Sequence, residues 1–307
     1  MKRLLSLAAV ALLATTAVFG QQDPQFSQNM FNRLWANAAY AGSSDGICAT
    51  AIYRDQWSGF DGAPKTGILN IDAPVRALHG GLGLSVLAAD ELGAENSLNV
   101  KLSYAFRFNV GSGNLAIGAD FGFLQKSLDG FSAGDYIDPN DPVIPSSSQS
   151  GSVIPDIGAG VYFNSDKLYI GASASHLTEP KVEYGDFSTV MARHYYFMAG
   201  YRLEFSPSLS LIPSVFVKNV ADETQADINA NLHFNNRFWV GASYRLEDAI
   251  VVMAGLNILS NLRLGYSYDI TTSDLQDYSN GTHEVMLNYC FYIKKKIKPI
   301  NRNVRFL

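Results

Sequence analysis

Three features of this 307-residue chain predict an all-β fold, a transmembrane antiparallel up-and-down β-barrel: an export signal, an apolar/polar period of two, and a composition between soluble and helical-membrane proteins. Lys2 and Arg3, the apolar stretch over 4–19 and Gly20 ahead of Gln21 read as a cleavable signal peptide spanning 1–20. Beyond it the sequence has no apolar run of the ~20 residues a spanning helix needs. Instead Leu98, Val100, Leu102, Tyr104, Phe106 and Phe108 alternate with Asn99, Lys101, Ser103, Ala105 and Arg107, and the pattern recurs to the end of the chain. Charged residues make up 17% and aromatics 12%, against about 25% charged in a soluble domain, and mean hydropathy lies close to zero. Strands with one face in lipid and the other toward a polar lumen give that middle value. The net charge of -5 argues against nucleic acid as a partner.

The alternation divides into fourteen segments: 46–57, 66–73, 81–88, 97–108, 114–123, 156–163, 167–175, 195–203, 209–218, 226–234, 238–244, 250–256, 262–270 and 283–291. Most have about the nine to eleven residues with which a tilted strand crosses a bilayer. Tight links at 109–113, 164–166 and 235–236 alternate with longer ones at 126–155, 176–194 and 271–282, as short periplasmic turns alternate with long external loops. That orientation places both termini in the periplasm. It gives an N-terminal periplasmic or plug segment at 21–45, the outer-membrane barrel at 46–293 and a periplasmic tail at 294–307 with six basic residues and no acidic one. Aromatics then form an inner girdle (Phe108, Phe163, Tyr201, Phe234, Phe238, Tyr289, Phe291) and an outer one (Phe123, Tyr195, Tyr244, Tyr268).

Arg54, Lys101, Arg107, Asp120, Asp156, Arg202, Lys218, Asp227, Arg245, Arg263, Asp269 and Glu284 share the inward parity. The favoured reading is a hydrated lumen wall with partly paired charges; a channel lining or a grip on a plug is the sharper one. The external loops are acidic, with Asp129, Asp135, Asp138 and Asp141 in the longest. Their spacing does not fit an EF-hand, so a solvated loop is favoured over a calcium site and no metal or cofactor is expected. The histidines are dispersed, and neither H-E-x-x-H nor G-x-S-x-G occurs, so no catalytic residue is assigned and the chain is not expected to be an enzyme. Cys48 and Cys290 fall in the first and last segments, which closure makes neighbours; a seam disulfide is geometrically open, with two free thiols the favoured outcome.

Two blocks break the period. Residues 23–42 read DPQFSQNMFNRLWANAAYAG, and residues 53–66 read YRDQWSGFDGAPKT. Together they resemble the PorP/SprF family of outer-membrane proteins of the type IX secretion system in Bacteroidota, with Ala38 standing where the family usually has proline. The resemblance implies a barrel that helps deliver or hold secreted surface proteins, gliding adhesins among them. Implied partners are the periplasmic ring or lipoprotein and translocon components, and a secreted surface protein or its C-terminal signal domain. A general porin or solute channel is the alternative.

In the first block Phe26, Met30, Phe31 and Trp35 recur at helix-like spacing, expected to form a plug or docking element at the periplasmic mouth, or a latch that only stabilises the barrel. In the second, Arg54 and Gln56 share the inward parity, while Trp57, Phe60, Asp61, Pro64 and Lys65 lie in or beside a turn dense in glycine and proline, the expected partner contact.

Overall fold

The computed structural model describes residues 23–44, 46–91, 95–128, 149–184 and 187–292. Fourteen strands, each antiparallel to its neighbours, close into a barrel. In chain order they are β1 Ile47–Asp55, β2 Lys65–Val75, β3 Gly80–Glu91, β4 Glu95–Val110, β5 Gly113–Leu128, β6 Ile154–Asn164, β7 Leu168–Ser175, β8 His194–Tyr201 with its continuation Leu203–Ser206, β9 Leu209–Val220, β10 Glu223–Phe234, β11 Phe238–Arg245, β12 Ala249–Leu259, β13 Leu262–Thr271 and β14 Thr282–Phe291. All fourteen coincide with alternating segments of the sequence.

The alternation is inside-out relative to a soluble sheet. On β4, Leu102 is 62% exposed while Lys101 and Ser103 beside it are 2% and 4% exposed. Hydrocarbon is the outer solvent, so the apolar member of each pair faces outward and every backbone group pairs with a neighbouring strand. Exposed aromatics gather near the short-turn end (Phe108, Tyr201, Phe238, Tyr289, Phe291) and toward the long-loop end (Phe123, Tyr195, Tyr244), as interfacial belts do. The β4–β5 ladder continues past the expected ends as far as Glu95 opposite Leu128. Over it folds a hairpin of Lys181–Tyr184 with Phe187–Val190, whose Val182 and Tyr184 pack with Met191 on Leu124 and Ile154. Such four-residue strands are too short to stand out as alternation. The acidic stretch 129–148 and the basic tail from 293 lie outside the described residues.

Closure is by β1 on β14, with Cys48 directly opposite Cys290. The two are joined as a disulfide across 242 residues of sequence, which corrects the expectation of two free thiols: the closing register puts them face to face.

The lumen is occupied. Residues 23–42 run through it, from Asp23 beside His176, His194 and Lys218 at the long-loop end to Gly42 against Gly81 at the short-turn end. The first block, expected as a plug or docking element or as a latch, lies inside the lumen against the wall. The inward charges of the loop-side half line a packed interior, not a hydrated wall. The described residues begin with Asp23 at the long-loop end and finish with Tyr292 at the short-turn end. The physical reason lies in the wall: Ile52, Ile68, Leu87, Trp239, Val251, Met253 and Met286 all face inward, and Phe26, Met30 and Trp35 of the plug bury them. Where plug and wall meet, backbone touches backbone. Gly42 adopts a left-handed φ of 69° as it turns out of the lumen, and a Cβ on Gly81 would collide with it; a Cβ on Gly118 would likewise strike Ala39.

Thiol chemistry tests the closure. The denatured, unreduced protein should take up no maleimide and the reduced protein two; replacing Cys48 and Cys290 with serine should lower unfolding stability by on the order of 2–5 kcal/mol.

Candidate functional site

The site is the contact between plug and loop-side wall. Its centre is Ser27, carried just ahead of the short 3-10 turn Asn29–Phe31. The Ser27 hydroxyl accepts from Arg54 Nη1 at 2.8 Å and Arg245 Nη2 at 3.0 Å, and donates to the Asp269 carboxylate at 2.6 Å. Behind it Arg54 bridges Asp269 (2.9 Å) and Glu284 (3.2 Å), and Arg245 bridges Asp227 (3.1 Å) and Asp269 (3.0 Å). These five side chains come from β1, β10, β11, β13 and β14 and are almost fully buried. Three carboxylates face two guanidinium groups, and plug donors supply the remainder. The Ser27 and Gln28 backbone N–H groups each donate to Glu284 at 2.8 Å, while the Gln25 and Asn29 amides donate to Asp227 at 3.1 and 3.0 Å. Charge-assisted hydrogen bonds in a dry interior are the strong kind, and a buried network is stable only when every member is satisfied.

A second cluster holds the plug at Asp23. Its backbone N–H donates to His194 Nε2 at 2.8 Å, its carboxylate meets His176 Nε2 at 3.1 Å and Tyr196 Oη at 2.6 Å, and its carbonyl accepts from Lys218 at 3.0 Å. Asp23, His176 and His194 stand close enough to ligate one metal, but the donor set fits a proton better. Both nitrogens of His176 face carboxylates, Asp23 and Asp156, so both carry hydrogen. Burial opposes that charge, and the Asp23 carboxylate with the two hydrogen bonds outweighs it, pushing His176 up to about 9.

Farther down, Trp35 lies 4.2 Å beneath the Lys101 ammonium, and Arg33 stacks 3.8 Å from the Tyr169 ring centre. Asn37 donates to the carbonyl of Val161 at 3.0 Å and caps the turn Ala38–Tyr40 by accepting from Ala39 N–H at 2.9 Å. Asn37 thus shapes the turn that starts at Ala38. Arg107 closes the lower end, donating to Ser43 Oγ at 2.7 Å.

Several residues expected to meet partners are therefore placed otherwise. Phe26, Met30, Trp35 and Arg54 are buried between plug and wall; parity marks Arg54 as inward without revealing the plug. Phe31 is half-buried, its ring 5.1 Å from Trp239. The remaining second-block residues form the loop 56–64, folded tightly by left-handed φ at Trp57, Gly59 and Gly62. It is tied to the neighbouring loop by Ser58 N–H to Gly281 O and Asn280 N–H to Ser58 O, both 2.7 Å, and by Trp57 N–H to Thr282 Oγ1 at 3.0 Å. Phe60, Asp61 and Lys65 are exposed, and Gln56, Trp57 and Pro64 half-buried. Sequence reasoning missed Ser27, Asp227, Arg245, Asp269 and Glu284 as one site; the signal was the run of inward apolar positions, which a water-filled lumen does not accommodate.

Arg54→Gln should weaken the fold by about 3–5 kcal/mol by stranding Glu284 and leaving Asp269 to Arg245 alone, read as a lowered temperature for losing the folded-barrel band on gels. The histidine clamp carries its own signature. Because the folded His176 value is raised, its contribution is complete below the unfolded value of about 6.5 and is lost as pH rises through about 9. Hydrogen exchange in residues 23–28 should accelerate across that window and do so far less in His176→Gln.

No curated protein matches the chain. Among solved structures, the P. putida toluene transporter TodX is 10% identical, covering 84% of this chain and 94% of its own, with a TM-score of 0.49. The Acinetobacter baumannii outer membrane protein Omp33 is 9% identical over 80% and 96%, at 0.44, and a Pseudomonas aeruginosa FadL homologue 15% identical over 89% and 96%, at 0.43. Residues 18–289 match the family described as type IX secretion system membrane protein PorP/SprF. With a match over most of its length, the chain belongs to the PorP/SprF family of type IX secretion system membrane proteins.

Proposed function

We propose that this protein is a plugged, non-enzymatic barrel that binds protein partners for type IX secretion, and that its external loop face receives or holds secreted surface proteins such as gliding adhesins. The observation that carries this reading is the filled lumen: a side-chain-lined tube would serve a solute channel, whereas here residues 23–42 are clamped inside by buried ion pairs. What the barrel offers to others is then its two faces. On the loop face, the rigid loop 56–64 presents Phe60, Asp61 and Lys65, with Trp57 and Pro64 beneath them, an aromatic anchor with charges at its rim. In this reading the short-turn end faces the periplasm, toward the ring or lipoprotein components, and the secreted protein or its C-terminal signal domain meets the loops.

The porin alternative makes the opposite demand on the lumen. Purified protein in a planar bilayer should show no steady ion conductance, and Arg54→Gln combined with Arg245→Gln should open one; a stable pore from the unmodified protein would restore the channel reading. In cells, deletion should strand a surface protein, and affinity purification should recover secretion components. Phe60→Ala with Lys65→Glu should reduce recovery of the surface protein by about tenfold without changing folded-barrel migration, since anchors at interfaces contribute about 2 kcal/mol or more. Unchanged surface proteins in the deletion strain would sink the proposal.

A further inference from the structure

Below the plug, at the short-turn end, the barrel holds a cavity of about 970 Å³. Its charge is one-sided. Arg33 of the plug, Arg202 of β8, Arg237 of the β10–β11 turn and Arg263 of β13 all line it, with Asp72 as the only carboxylate among the described lining residues. One oxygen of Asp72 accepts from the Ser44 hydroxyl at 3.2 Å. None of the four arginines forms an ion pair among the described residues. The Arg202 guanidinium donates to Ser210 Oγ at 3.3 Å, that of Arg263 to Asn257 Oδ1 at 2.9 Å, and that of Arg33 to Tyr162 Oη at 3.2 Å. The Arg33 Nε is buried with no acceptor at all. The contrast with the loop-side half is sharp, since there both arginines are paired with carboxylates.

We infer that this vestibule is a receptor for an acidic, carboxylate-bearing segment of another protein. Guanidinium groups are built for bidentate carboxylate recognition, and a cluster of them left unpaired in a recess calls for an anionic guest. The guest is extended. The arginines stand on four separate elements around the cavity, and Asn231 and Asn288 on its wall supply amides suited to peptide groups. The volume lies at the top of the range for pockets that engulf a whole drug-sized ligand, about 300–1,000 Å³, far beyond what one phosphate fills. The chain's own C-terminal residues do not match it: the sequence after Tyr292, which lines the mouth, carries Lys294, Lys295, Lys296, Lys298, Arg302 and Arg305 and no acid. This inference concerns the opposite end of the barrel from the loop face and does not rest on that reading.

Fluorescence anisotropy with the full-length protein in detergent micelles tests it, using a dye-labelled peptide of alternating Glu and Gly and the same peptide with Gln for Glu. The acidic peptide should bind, weaken as salt is raised, and bind at least about tenfold more tightly than the Gln peptide, the loss expected when charged hydrogen bonds go. Arg202→Gln with Arg237→Gln should lower its affinity by a similar factor, whereas Lys167→Gln, which removes a charge from a turn outside the cavity, should not. Should the double variant fail to give the folded-barrel band, the exposed Arg237→Gln alone, expected to show a smaller loss, decides. Equal binding of the Gln peptide, or no loss in the arginine variants, overturns the inference. Displacement of the acidic peptide by inorganic phosphate at equal charge would reassign the cavity to small anions and overturn it as well.

Discussion

One hydroxyl group, that of Ser27, organises the interior. It accepts from two arginines of the wall and donates to the aspartate they share. Without the plug, the wall would hold three carboxylates against two guanidinium groups in a space too apolar to tolerate the excess, and the backbone N–H groups of Ser27 and Gln28 make good the difference at Glu284. Burying unbalanced charge is among the most unfavourable things a fold can do. The wall is thus designed around an occupied lumen, and barrel and plug are one folding unit.

The same division of labour explains why the two halves of the interior differ. Toward the loops, side chains from plug and wall are large, charged and joined by buried ion pairs. Toward the turns, small residues bring the plug to one side: Ala39 lies on Gly118 and Gly42 on Gly81. The chain leaves the middle of the lumen there and hugs the wall formed by β3 to β7. The space vacated opposite, against β8 to β14, is the arginine-lined vestibule. Tight packing on one side and open volume on the other are a single consequence of where glycine stands.

The strands were legible because lipid imposes a strict rule: one side chain out, one in, for every crossing. That rule reaches the sequence residue by residue, and so Leu102 and Lys101 could be sorted without a structure. Closure was half legible, since the first and last strands must meet but their register decides whether Cys48 faces Cys290. The plug was legible as an apolar segment that could fill or dock at the barrel mouth, but not in its path through the lumen. Phe26, Met30, Phe31 and Trp35 keep a helix-like spacing, but the partners of residues 23–42 lie up to 257 residues away in sequence, so spacing alone does not say where the segment sits. What identified the segment was its resemblance to a family, which speaks to purpose and says little of position. The wall did carry a physical hint, in inward Ile52, Leu87, Trp239 and Met286, whose meaning needs an occupant to become plain.

The bond between Cys48 and Cys290 turns 243 residues into a covalent hoop around the plug. A barrel held by hydrogen bonds alone can part between its first and last strands and let cargo slip sideways into the bilayer. This one is riveted at that joint, toward the end where the vestibule opens. Whatever passes or docks there must come and go along the barrel axis, and the plug itself, once enclosed, has no lateral way out.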